Sequence, residues 1–157
     1  MIKMLKYQKG FSLIELLVIV AILGIISTIA IPNITAWIPK YRLKSTTRDI
    51  FSTLQLARMR AIAVGVEYQV SFDLNNETYY ISKGNSSSGS VSWTQENEVS
   101  SAPNGIDIAS LSGGLTNLHF HPTGSSSNGT TITINNTNGD EKKISILAAT
   151  GRIKITQ

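Results

Sequence analysis

Lys9-Gly10-Phe11-Ser12-Leu13-Ile14-Glu15-Leu16-Leu17-Val18 is the stretch on which the reading of this chain turns. Lys3 and Lys6 precede it, and the apolar run it opens continues over residues 11–31, broken by the charge of Glu15 and by the mild Ser12, Gly24, Ser27 and Thr28. As a helix rising 1.5 Å per residue the run reaches about 31 Å, enough to cross a bilayer core of roughly 30 Å. A cleaved secretory signal, cut near Thr28-Ile29-Ala30, would share the basic start and apolar centre, but its apolar region spans only about 7 to 15 residues. Glu15 is the discordant residue. Insertion scales place an acidic residue at mid-membrane about 2.5 to 3.5 kcal/mol uphill, so this carboxylate needs a partner.

The whole chain has 157 residues, 14 Lys and Arg against 10 Asp and Glu, and no cysteine. That length suits one domain. The missing cysteines exclude a disulfide framework and any zinc or iron-sulfur site built on thiolates. Of the net charge of +4, the first nine residues carry +3. The basic balance is therefore a property of the N-terminus and not of a nucleic-acid-binding domain.

Downstream, residues 41–64 contain neither Pro nor Gly, and Phe51, Leu54, Ala57 or Arg58, and Ala61 recur at spacings of three and four, flanked by Ile50 and Ile62. This predicts an amphipathic helix ending at Gly65, with kinks at Pro32 and Pro39. Its other face is basic: Lys40, Arg42, Lys44, Arg48, Arg58 and Arg60 against Asp49 give +5 over residues 40–60, whereas residues 61–157 carry −3. That face is open to solvent, to a neighbouring subunit or, for Lys40, Arg42 and Lys44, to lipid headgroups. The remainder alternates as strands. Residues 66–72 and 78–82 form a hairpin with one apolar face, 91–94, 106–108 and 118–120 are short candidates, and 130–135, 141–149 and 152–156 make a meander. Residues 83–92, rich in Ser, Gly and Asn, are expected to be a mobile surface loop. The fold class is α+β, a long N-terminal helix with a transmembrane half and an amphipathic half, packed on antiparallel β-sheets.

A two-residue turn at Thr150-Gly151 would pair Ala149 with Arg152 and Ala148 with Ile153, putting Ile144, Ile146, Ala148, Ile153 and Ile155 on one apolar face. Arg152 and Lys154 would then project from the other, roughly 6 to 7 Å apart, near the spacing of successive phosphates on a nucleic-acid strand. Lys142 and Lys143 would extend this stripe about 25 Å away. His119 and His121, two apart on one strand, would be the minimum for a metal pair, with Asp107 the nearest acid in sequence, but they read as surface or packing histidines and no metal site is expected. Trp37 reads as an interfacial anchor and Trp93 as sheet core. No phosphate loop, nucleophile elbow or carboxylate pair stands out, so neither catalysis nor a cofactor is expected.

The motif at residues 9–18 resembles the class III signal sequence of type IV pilins and pseudopilins. Together with Leu54-Gln55-Leu56-Ala57-Arg58-Met59-Arg60-Ala61-Ile62-Ala63, Phe120-His121-Pro122-Thr123-Gly124 and Gly151-Arg152-Ile153-Lys154, it resembles the GspH/FimT group of minor pseudopilins. The resemblance implies that residues 1–10 are a leader removed after Gly10 by a prepilin peptidase and that Phe11 is then N-methylated. It also implies that Glu15 pairs with the N-terminal amine of a neighbouring pilin during assembly. Residues 11–31 would be the transmembrane helix, 32–65 its continuation outside the membrane and 66–157 the globular domain. The leader lysines would hold the N-terminus cytoplasmic at the inner membrane, leaving that domain periplasmic or extracellular. Three roles stay open: a tip subunit priming type IV pilus assembly, its counterpart in type II secretion, and a DNA-binding subunit for uptake in natural transformation. For the last, some FimT-like members end in Gly-Arg-x-Arg, where this chain has Lys154. A single-pass anchored binding protein outside any filament would share the topology without needing Glu15.

Overall fold

The computed structural model describes residues 10–156, the side chains of residues 29–36 excepted; of the leader only Gly10 falls within it. The chain divides into two compact units, Met1–Trp37 and Ile38–Gln157. One helix, α1 (Leu13–Val64), contributes to both, and its helical backbone passes Pro32 and Pro39 without interruption. In the first unit the described side chains are apolar on every side and exposed, Phe11 at 73%, Leu13 at 80% and Ile25 at 66%. Among the described residues no helix is long and apolar enough to cross a membrane; the expected span at 11–31 runs into residues whose side chains lie outside the described part.

The second unit holds the core. α1 buries Leu43, Thr47, Ile50, Leu54, Ala57 and Ala61 at spacings of three and four, one stripe of a helix laid on sheet. Ile62, expected on this face, is exposed, and Phe51 is only half-buried. Nine strands follow: β1 (Tyr68–Asp73), β2 (Thr78–Gly84), β3 (Trp93–Gln95), β4 (Ser100–Ser101), β5 (Ile106–Leu111), β6 (Asn117–Phe120), β7 (Thr130–Asn136), β8 (Glu141–Leu147) and β9 (Arg152–Thr156). They form two antiparallel sheets, ordered β3-β2-β1-β6 with β4 also on β2, and β5-β7-β8-β9. The α+β class read from the sequence is the fold observed.

Glu77 ties the two sheets. It sits in the turn between β1 and β2 at φ 53°, and its carboxylate Oε2 accepts the Ile108 amide at 2.6 Å. That amide lies where β5 shifts register between Asp107 and Ser110, so the bulge hands its donor to the other sheet.

β1 departs from the sequence expectation. It was expected to show one apolar face, yet Glu67, Gln69 and Ser71 are as buried as Tyr68, Val70 and Phe72. The polar face is satisfied internally: Gln69 donates to Ser71 at 3.2 Å, and Glu67 takes the Ser90 amide on Oε2 at 2.7 Å and stands 2.9 Å from His121 Nδ1 through Oε1. Residues 83–92, expected to be mobile, are held by that bond, by the Glu67 amide on Ser86 O and by the Asn85 side chain, which receives the Val91 and Ser92 amides. Burial pushes the Glu67 pKa up, but the Ser90 and Gly89 amides, the Ser90 hydroxyl and His121 outweigh it, leaving the carboxyl below its ordinary 4.5. A depressed carboxyl adds stability in full above its unfolded value and loses it as pH falls through the folded one. The protection of the Ser90 amide against hydrogen exchange is expected to fall as the pH drops below about 4.5. In Glu67→Gln that acid-dependent loss should vanish; equal acid sensitivity in variant and wild type would assign the loop's anchorage elsewhere.

Candidate functional site

At the N-terminus, Gly10 and Phe11 precede the helix and Glu15 lies in its first turn, which the Leu16 amide closes on Ser12 O at 3.2 Å. A carboxylate there is favoured by the unpaired amides and dipole of the helix start. Glu15 is exposed beside Leu13, Ile14, Leu16 and Leu17, at 59 to 80%. The expected cleavage and assembly residues thus share one accessible end of an apolar rod.

The three internal motifs converge at a second place. Arg58, from α1, donates through Nε to Gly124 O at 2.8 Å and through Nη2 to Thr150 O at 3.1 Å. Gly124 closes the turn after β6, its amide on His121 O at 2.8 Å, and Thr150 belongs to the turn between β8 and β9. The two turns also touch through the Ser126 amide on Ala148 O at 2.9 Å. Gly151 has φ +57°, and a Cβ there would run into the Gly124 carbonyl oxygen and lie 3.0 Å from Arg58 Nε. Only a residue without a side chain admits this approach. The sequence offers Arg58 either as the alternative to Ala57 in the buried stripe or on a basic face open to solvent or a neighbouring subunit; in the structure it is the joint between the helix and both sheets. Two further arginines of that face are also engaged internally. Arg42 Nη1 donates to Asn104 O at 2.7 Å, and Arg60 Nη1 lies 3.2 Å from Glu96 Oε2, which also receives the Tyr68 hydroxyl.

The same junction corrects the C-terminal hairpin. Because Ala148 O serves Ser126 and the Gly151 amide returns to Leu147 O at 2.8 Å, the connection takes four residues, and Arg152 pairs with Leu147 instead of Ala149. A two-residue slip preserves faces, so Ile144, Ile146, Ile153 and Ile155 stay together. Ala148 leaves the ladder for the turn. Ile155 is 42% exposed, since β9 is the last strand of its sheet. Arg152 and Lys154 project on the other face, both exposed, with Lys143, which is four rungs from Arg152, about 13 Å instead of the expected 25 Å. Lys143 Nζ is paired with Glu141 Oε1 at 2.6 Å. Lys142 drops out of the stripe: alternation puts it on the face of Ile144 and Ile146.

The histidines are apart in role. His119 lies against Trp93 with ring centroids 4.9 Å apart and planes tilted by 49°, so Trp93 is a half-buried lid on the polar side of its sheet and not core. Burial lowers the His119 pKa below its ordinary 6.5, against the pull of Glu67. His121 pairs with Glu67, which sequence reading passed over because its alternating position marked it as exposed.

Residues 5–31 match the family model described as the prokaryotic N-terminal methylation motif, and residues 46–151 that described as type II transport protein GspH. A fimbrial protein of Pseudomonas aeruginosa is 38% identical over 76 residues, 48% of this chain and 48% of the relative, so the chain spans about half the length of the curated relatives it matches. Among solved structures, the minor pseudopilin EpsH from the type 2 secretion system of Vibrio cholerae aligns with a TM-score of 0.60 at 14% identity, covering 73% of this chain and 96% of that one. The type IV minor pilin FimU of Pseudomonas aeruginosa aligns at 0.57 and 19% identity, covering 73% and 93%. These likenesses concern the fold.

Charged hydrogen bonds contribute about 1.5 to 3 kcal/mol each. Arg58→Ala is therefore expected to destabilise the domain by roughly 2 to 4 kcal/mol, and Gly151→Ala by at least about 1 to 2 kcal/mol from its left-handed backbone alone. Chemical denaturation would measure both, with Lys154→Ala near zero as the comparison.

Proposed function

Because this chain belongs to the GspH family of pilin-like minor pseudopilins, we propose that it works as a structural subunit at or near the tip of a type IV pilus or type II secretion pseudopilus, where it primes assembly. The observation that carries this reading is the first unit of the chain: an all-round apolar helix, exposed along its described length, with one carboxylate in its first turn. A helix apolar on every side needs lipid or other apolar helices around it. In lipid the lone carboxylate favours a cationic partner, and the amine that cleavage after Gly10 would create on a neighbouring subunit is suited to that place. We read residues 11–31 as the inner-membrane anchor, a prepilin peptidase as the processing enzyme, and other pilins or pseudopilins as the partners. The role is structural and not enzymatic. A neighbour's amine explains Glu15; a solitary anchored binding protein leaves it unexplained.

DNA uptake is the weaker reading. Lys142 faces the other way and Lys143 is neutralised by Glu141, so Arg152 and Lys154 remain as the cations of the stripe. Two phosphate contacts give weak, steeply salt-sensitive attachment.

Two outcomes are expected. Mass spectrometry of the native protein should find a methylated Phe11 at the N-terminus, and Gly10→Val should retain the leader and stay out of filaments; a mature N-terminus near Ile31 would sink the reading. Glu15→Leu should be inserted and cleaved normally yet incorporated into filaments several-fold less, by immunoblotting of sheared fractions. Incorporation at the wild-type level would make the carboxylate incidental.

A further inference from the structure

A groove of about 360 Å³ is lined by Lys44, Thr47 and Arg48 of α1, Lys142 of β8 and Ile155 of β9. Lys44 and Arg48 are one helical turn apart and so lie on the same side of α1. Lys142 joins them because strand alternation turns it to the face of the buried Ile144 and Ile146. Three cations thus meet with no acid in the lining. The neighbouring carboxylates have other bonded partners: Glu141 pairs with Lys143 at 2.6 Å and Asp140 accepts from the Asn136 side chain at 2.9 Å, although both acids line the adjoining groove with Lys40 and Lys142. Asp49, beside Arg48 in sequence, exerts its charge on Tyr79. Among the described residues the charged ends of Lys44, Arg48 and Lys142 have no hydrogen-bond or ion-pair partner.

Three like charges converging on one concavity repel one another, and a bound anion relieves that repulsion. We propose that this groove binds a phosphate group carried on a small organic moiety, either a phospholipid headgroup or a soluble phosphate ester. Arg48 offers the planar fork that grips two phosphate oxygens, and the two lysines add point charges beside them. Ile155, 42% exposed, supplies an apolar wall for the ester's carbon atoms. The volume suits a headgroup-sized ligand. The site is distinct from Arg152 and Lys154, which lie on the opposite face of the same hairpin.

The test uses the full chain, labelled with ¹⁵N, in non-ionic detergent and in lipid nanodiscs. Titration with glycerol 3-phosphate, with glycerol as control, should shift the amides of Thr47, Arg48 and Lys142 saturably if the source is soluble. Shifts confined to nanodiscs of phosphatidylglycerol, relative to phosphatidylcholine, would assign a lipid headgroup. Either way Arg48→Gln with Lys142→Ser should weaken binding about tenfold or more, and Lys143→Ser should leave it within twofold. Arg48 is exposed and Lys142 and Lys143 are half-exposed, and an unchanged thermal midpoint will show each variant folded. Silence of those amides in both settings, an equal response in the double variant, or a response to duplex DNA alone would overturn the proposal.

Discussion

The Arg58 guanidinium, bonded to one carbonyl in the turn after β6 and to another in the turn between β8 and β9, is the constraint on which the rest of the globular unit depends. Each sheet presents an apolar face to α1, but apolar contact is indifferent to small slides of one layer over another. Directed bonds from a single rigid fork fix the slide. Their donor leaves α1 on the edge of the buried stripe, between Ala57 and Ala61, whose small side chains let the backbone of the helix come close to the sheets. The cost of the arrangement falls on Gly151 and Gly124, both left-handed and each with other atoms in the space a side chain would fill. Three motifs far apart in sequence are thereby one physical object.

Much of this was legible in the residues. The helical stripe follows from spacing, and most strands follow from alternation and turn residues, because both signals are local. What escaped depended on distant partners. Arg58 carries the same chemistry as Arg48 and differs only in what folds back to meet it. Glu67 looked exposed by alternation, since nothing in residues 83–92 announces that the Ser90 amide returns to it. The hairpin register slipped by two because Ala148 was counted in the ladder, while its carbonyl belongs to a loop more than twenty residues away. That slip kept every face intact, which is why the pattern of isoleucines read correctly although the pairing did not. The strand of Ser100 and Ser101 has no apolar signature at all and is made by its partner.

The candidate site divides in the same manner. The residues at positions 10, 11 and 15 were read from a contiguous motif, and the structure adds their accessibility at the start of α1. The basic residues of the sequence separate by the partners they meet in the fold. Three arginines serve the fold, Lys143 is paired, and Lys142 is turned into a groove with Lys44 and Arg48. Charge counts sum over a surface that the fold then partitions into faces.

Among the described residues β9 is paired with β8 on one side only, so its other side is an open sheet edge. Its outer row of backbone amides and carbonyls is a template on which another extended chain could add, the route by which strands aggregate. The exposed Arg152 and Lys154 alternate along that border, and bringing a like border alongside would set cation against cation. The end of the sheet is thus guarded by charge where a barrel would be guarded by closure. The last strand can therefore stay open without pairing edge to edge with a copy of itself.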